Sequence, residues 1–117
     1  MSKRSSNKRA NRAPAEIDPV LRTELDQKAA SETVGAIVRL RPTRPGLHAP
    51  PPGEVESLAR TVLGRVSAAS GSSPGSVNVM PNLGSIAVRA NVDFVKRLVQ
   101  EEEVAAATSS SHQVTAL

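Results

Sequence analysis

The stretch that decides the fold is 54–69, EVESLARTVLGRVSAA. Apolar side chains recur in it at intervals of three and four residues: Val55, Leu58, Ala59, Val62, Leu63 and Val66. This spacing places them on one wide face of an α-helix. Glu54 and Glu56 lie in the first turn, where carboxylates complement the positive end of the helix dipole. Ser70-Gly71 is typical of a helix end, so we predict one amphipathic helix here.

A strand precedes this helix and a hairpin follows it. In 34–41, VGAIVRLR, apolar side chains at every second position predict a strand with one buried face. The interval 42–53 contains five prolines and two glycines, which predicts a loop. After the helix, 76–80 and 85–90 alternate in the same way. They are separated by four residues, Pro81 to Gly84, which is typical of an antiparallel hairpin.

A second helix and a last strand complete the unit. Asn91 is expected to cap a helix that runs to about Gln100 and buries Phe94, and 104–109 is the last strand. The order strand, helix, strand, strand, helix, strand predicts the α+β class. More narrowly, it predicts a ferredoxin-like βαββαβ fold, with two helices on one face of a four-stranded antiparallel sheet.

The two ends of the sequence differ from this predicted domain, 33–110. Residues 1–32 are predicted to be a disordered basic arm with a short helix over 18–30, beginning at Asp18-Pro19. Five Lys and Arg and no acidic residue lie in the first twelve positions, whereas the remainder has ten basic and eleven acidic residues. The positive net charge therefore belongs to the arm, which either keeps the chain in solution or contacts nucleic acid or another acidic surface. Residues 111–117 are predicted to be a flexible tail.

Groups that perform chemistry are scarce. The chain has no Cys, and its two histidines, His48 and His112, have no carboxylate at ligand or triad spacing. No glycine-rich loop opens a helix. We therefore expect no metal, no cofactor and no enzymatic activity. No apolar run is long enough for a secretion signal or a membrane span, so we expect a cytoplasmic protein with no membrane partner, monomeric when free.

Three segments resemble the subtilisin propeptide-like inhibitor family. Ala36-Ile37-Val38-Arg39-Leu40-Arg41 is similar to the first strand of that family, and Gly84-Ser85-Ile86-Ala87-Val88 is similar to its third strand. Val92 to Leu98, followed by Glu103-Val104-Ala105, resembles the second helix and the start of the last strand. The order and spacing of the three segments over about 75 residues carry more weight than any one motif.

The resemblance implies a free-standing inhibitor or folding chaperone of a subtilisin-like serine protease. In such inhibitors the outer sheet surface packs on two protease helices, and the residues after the last strand occupy the active-site cleft. Here Thr108, Ser109 and Ser110 would dock on the protease. Val114, Thr115, Ala116 and Leu117 would lie in the cleft as a product-like peptide, with Val114 and Leu117 in apolar pockets.

The sequence departs from the family pattern in two places, and two other functions stay open. Family members often have acidic residues after the last strand, where this chain has hydroxyls, and residues 1–32 have no counterpart. One alternative function is a non-catalytic regulatory or interaction domain of the same fold. The other is a nucleic-acid-associated protein that uses the basic arm. The second is disfavoured because 34–41 and 85–90 contain no aromatic side chain on which a base could stack.

Overall fold

A computed structural model describes residues 15–43, 46 and 49–110. In this part of the chain, the helices are α1 (Pro19–Gln27), α2 (Pro52–Ser70) and α3 (Val92–Leu98). The strands are β1 (Glu16–Ile17), β2 (Thr33–Leu40), β3 (Ser76–Met80), β4 (Ser85–Asn91) and β5 (Val104–Ser109). A short 3-10 turn, Pro81–Leu83, connects β3 to β4.

The strands form one sheet in the order β1-β5-β2-β4-β3. Every neighbouring pair is antiparallel except β1 and β5, which run parallel. The α+β class is thus confirmed. The predicted set of two helices and four strands is wrong, since the described residues form three helices and five strands. Both elements beyond the βαββαβ set come from the segment before residue 33: α1 corresponds to the short helix predicted over 18–30, whereas β1 was not predicted.

Residues 15–32 are part of the folded unit, which corrects the prediction of a disordered arm up to residue 32. Asp18 caps α1, because its carboxylate accepts hydrogen bonds from the backbone N–H groups of Val20 and Leu21 at 3.2 and 3.4 Å. Leu21 and Leu25 are 0% and 5% exposed and belong to the core. The helix start at Asp18-Pro19 was predicted correctly, although α1 ends at Gln27. The N-terminal stretch 1–14 lies outside the described residues.

A single core lies between the three helices and one face of the sheet. The predicted apolar faces of α2 and β2 are confirmed, since the following residues are buried: Val34, Ala36, Val38, Leu40, Val55, Ala59, Val62 and Val66. α3 covers the middle of the core with Phe94, the only aromatic residue of the chain, which is 0% exposed. Asn91 caps α3 as predicted, accepting a hydrogen bond from the Phe94 N–H at 2.7 Å.

Gly84 makes the connection from β3 to β4 possible. Its φ is +60°, and a Cβ at this position would lie 2.6 Å from the Cβ of Ala49.

We expect Gly84→Ala to lower the free energy of unfolding by about 2 kcal/mol, because the left-handed backbone and the steric overlap both oppose a side chain. Gly64→Ala is the matched control: it lies inside α2 with no atom near its Cβ position. It should raise the free energy of unfolding by about 0.5–1 kcal/mol. Urea denaturation of both variants would measure the free energy of unfolding. Equal changes for Gly84→Ala and Gly64→Ala would contradict the requirement for glycine at position 84.

Candidate protein-docking surface

The face of the sheet opposite the helices is the candidate functional surface, and we call it the open face. The three helices all contribute to the core on the other side. Strand alternation and register assign the side chains of the open face. They are Glu16 of β1; Gly35, Ile37 and Arg39 of β2; Ser76, Asn78 and Met80 of β3; Ser85, Ala87 and Arg89 of β4; and Ala106 and Thr108 of β5.

The centre of the open face carries Ile37 between two smaller side chains. Ile37 of β2 is flanked by its register partners Ala87 and Thr108. Ile37 and Ala87 are half-buried, and Thr108 is exposed. All three side chains at the centre are uncharged.

Two arginines lie at opposite ends of this centre. Arg39 is on β2, and Arg89 of β4 is the register partner of Gly35, four residues earlier on β2. At the rise of a β-strand, the two positions are about 13 Å apart along the sheet. Both side chains are exposed, and neither forms an ion pair with a carboxylate of the described residues. The open face is thus uncharged in the middle, positive at two separated points, and negative at Glu16 on the β1 margin.

Gly35 leaves room for the chain that follows β5. A Cβ on Gly35 would lie 2.1 Å from the hydroxyl oxygen of Ser110 and 3.5 Å from Nη1 of Arg89. Ser110 and Arg89 therefore lie over the backbone of Gly35, where any larger residue would displace them. The chain beyond β5 accordingly begins on the open face, next to an arginine. A glycine inside a strand pattern is the sequence signal for such an approach.

A bulge in β5 decides which of the predicted docking residues reach the open face. Arg39 pairs with Ala106, but the next residue, Leu40, pairs with Val104, so β5 contains one extra residue, Ala105. The extra residue shifts the alternation so that Thr108 points outward and Ser109 inward. Ser109 is 0% exposed and donates a hydrogen bond to the Glu24 carboxylate of α1 at 2.7 Å.

The three predicted docking hydroxyls thus lie in different environments. Thr108 is exposed on the open face, Ser110 is half-buried over Gly35, and Ser109 holds α1 against the strand. Val114, Thr115, Ala116 and Leu117, which were predicted to lie in a protease cleft, are outside the described residues. So are His48 and His112.

The acidic run Glu101–Glu103 is an anchor between elements, which the sequence did not indicate. Arg65 of α2 binds both Glu101 and Glu103, and it reaches the Glu103 carboxylate through Nη1 and Nη2 at 3.1 and 3.2 Å. These hydrogen bonds, first of all those with Glu103, raise the pKa of the Arg65 guanidinium above its ordinary value. Because the Arg65 side chain is 49% exposed, the stabilisation is small. The pairing joins residues 36 and 38 positions apart, for which no local sequence signal exists.

Nothing else in the described ranges marks a chemical site. No three His, Cys, Asp or Glu side chains among these residues are grouped so that they could hold a metal ion. Every buried side-chain nitrogen or oxygen in the same ranges has a hydrogen-bond partner. No helix in this part of the chain is long and apolar enough to cross a membrane.

Comparisons of the chain with protein-family models, with curated proteins and with solved structures find no match.

Proposed function

We propose that this chain inhibits a subtilisin-like serine protease, assists its folding, or does both. The observation that carries the proposal is the open face, a sheet surface opposite the helices whose centre bears uncharged side chains. The arrangement of β2 to β5 also supports it. Their order is β5-β2-β4-β3 with all pairs antiparallel and with α2 and α3 in the connections. This is the order of a ferredoxin-like βαββαβ unit, which the resemblance to the inhibitor family implies.

In this proposal the open face docks on helices of the protease. Ile37, Ala87 and Thr108 form the contact, and Thr108 offers a hydroxyl that can accept a hydrogen bond from a helix N-terminus. Arg39 and Arg89 favour a partner surface with carboxylates at two points about 13 Å apart. Ser109 takes no part, because it is buried against Glu24.

The tail provides the inhibitory contact. Residues 111–117 continue from Ser110, which lies on the open face over Gly35. We place Val114 to Leu117 in the active-site cleft, extended between the cleft edges. Main-chain hydrogen bonds give affinity there, and Val114 and Leu117 give specificity by filling two apolar pockets, with the small Ala116 between them and Thr115 turned outward. The chain itself contributes no reacting group and acts by occupying the cleft.

The experiment separates docking from cleft occupancy. The full chain, a version that ends at Ser110 and the variant Ala87→Arg are titrated into a panel of subtilisin-like proteases, and binding and peptide hydrolysis are both measured. We expect the full chain to bind and inhibit, and the shortened chain to bind without inhibiting. Ala87→Arg should weaken binding by about thirtyfold, the size of a hot-spot loss. Refolding of denatured protease with each protein measures the chaperone activity.

Thr23→Arg is the matched control, because Thr23 is exposed on α1, away from the open face. It should bind like the unmodified chain. Equal inhibition by the full and shortened chains would contradict the role of the tail. Equal binding by Ala87→Arg and Thr23→Arg would contradict docking through the open face. If no protease of the panel is bound, the proposed function is wrong.

A further inference from the structure

The outer edge of β3 is an interaction surface that the proposed function does not use. β3 is the last strand of the sheet, and no strand of the described residues pairs with its outer side. Natural edge strands are commonly protected by charged side chains, which discourage pairing with other strands. This one has no such protection. The stretch 66–88 contains no charged residue and no histidine, in a chain of which 22% of the residues are charged.

Exposed apolar side chains accompany this edge. Only three large apolar residues of the described part are exposed, and two of them, Val77 at 40% and Leu83 at 64%, lie in β3 and in the turn that follows it. Pro74 and Pro81 flank the strand and limit the length that can pair. The edge is therefore short, uncharged and partly apolar.

The hydrogen-bond pattern shows which backbone groups of β3 face outward. The Gly75 N–H donates to the Arg89 carbonyl at 2.7 Å, so the backbone of Arg89 faces β3. Arg89 is the register partner of Ser76. Because hydrogen-bonded and non-hydrogen-bonded pairs alternate along an antiparallel ladder, Ser76 and Asn78 bond to β4. The N–H and C=O groups of Val77 and Val79 consequently point away from the sheet.

We propose that β3 pairs antiparallel with β3 of a second copy of this chain, about a two-fold axis at Asn78. This register sets Val77 of one copy opposite Val79 of the other, which makes four main-chain hydrogen bonds from the outward groups and two Val–Val contacts on the core side. Asn78 meets Asn78 of the second copy on the open side. A strand without charge can pair with itself in this way, since no like charges are brought together, and a two-fold axis makes the contact self-complementary.

The short edge sets the strength of the pairing. Five residues on each side bury less than a standard protein interface, so a weak dimer results, with a dissociation constant of about 100 μM. The chain is then monomeric when dilute and dimeric when concentrated. The dimer leaves the centre of the open face uncovered, and it depends on no property of a protease.

The test exploits the position of Asn78 on the axis. Sedimentation velocity from about 5 μM to about 1 mM is run on the unmodified chain, Asn78→Lys, Asn78→Glu and their equimolar mixture. Asn78 is exposed, so either charge is tolerated in the monomer. Each variant alone should dimerise about tenfold more weakly, because like charges meet across the axis. The mixture should recover dimers, because opposite charges then meet.

Gln27→Lys is the matched control for added charge. Gln27 is exposed at the end of α1, which packs mainly on β5 and β2 rather than on β3. It should dimerise like the unmodified chain. Amide exchange gives a second readout: the amides of Val77 and Val79 should gain protection as the concentration rises, and that of Asn78 should be protected throughout. A chain that stays monomeric at about 1 mM overturns the proposal. A dimer that is equally stable in Asn78→Lys and Gln27→Lys, or a mixture that does not associate, overturns it too.

Discussion

Leu21→Ala is expected to lower the free energy of unfolding by about 3 kcal/mol, in the range for a fully buried leucine. Leu21 is 0% exposed and lies in the same core as the strands and the other two helices. The lost methyl groups leave a cavity that the neighbouring backbone cannot fill, because α1 is fixed at its start by the Asp18 N–H, which donates to the Ala107 carbonyl at 2.9 Å. Urea denaturation, monitored by circular dichroism, measures the change in the free energy of unfolding.

Val20→Ala is the control for this substitution. Val20 is the residue before Leu21 on α1, and it is 40% exposed. Its truncation should change the free energy of unfolding by less than about 0.5 kcal/mol, as surface substitutions usually do. Equal effects of the two substitutions would mean that α1 does not contribute to the folded unit, and the domain boundary near residue 33 would have to be restored.

Phe94→Ala is expected to have the largest effect of any single side-chain truncation, about 4 kcal/mol. Phe94 is the largest of the fully buried side chains in the described part of the chain. A domain of this size has a total stability of about 5–10 kcal/mol, so the variant should be close to unfolding at room temperature. Urea denaturation would show a much lower midpoint with a similar slope.

Phe94→Leu is the comparison, because leucine keeps much of the volume and all of the apolar character. It should cost about 1–1.5 kcal/mol. A similar loss for Phe94→Ala and Phe94→Leu would indicate that the shape of the ring, rather than the volume it fills, holds α3 on the sheet. A loss below about 1 kcal/mol for Phe94→Ala would contradict the position of Phe94 in the centre of the core.

The elements that were predicted well are those whose residues carry their own periodicity. α2 has six apolar residues at helical spacing, and β2 has four at strand spacing, so each pattern indicates both the element and its buried face. The caps at Asp18 and Asn91 were likewise visible, since a cap depends on its immediate neighbours.

The segment 15–32 was mispredicted because its order comes from distant residues. α1 has only two buried leucines, which predict a marginal helix, and β1 has two residues whose partners are Ala106 and Ala107. Neither element would persist alone. Both are held by β5 and the core, so tertiary contacts override a weak local pattern.

The candidate site was predicted only in part, because the sequence of β5 does not show which of its residues face the core and which face outward. Ala105, Ala106 and Ala107 are identical, so the sequence does not show that one of them is an extra residue. The presence of this bulge, whichever alanine forms it, turns Thr108 outward and Ser109 inward. Both residues were assigned to the docking surface from the resemblance, which gives Thr108, Ser109 and Ser110 as docking residues without regard to the face of the strand. A bulge is visible only once the partner strand β2 is aligned beside β5.

The parallel pairing of β1 with β5 determines how the two undescribed ends of the chain are presented. Ala15 lies just before the pair Glu16 and Ala106, and Ser110 follows the end of β5, so both attachment points lie along the same margin of the sheet within about 15–20 Å. In the proposed function, a protease that engages residues 111–117 is therefore within about 15–20 Å of the point where the basic stretch 1–14 is attached, a distance at which tethering gives effective concentrations of about a millimolar. A circular permutant in which a short linker joins Ser110 to Ala15 should keep the sheet intact.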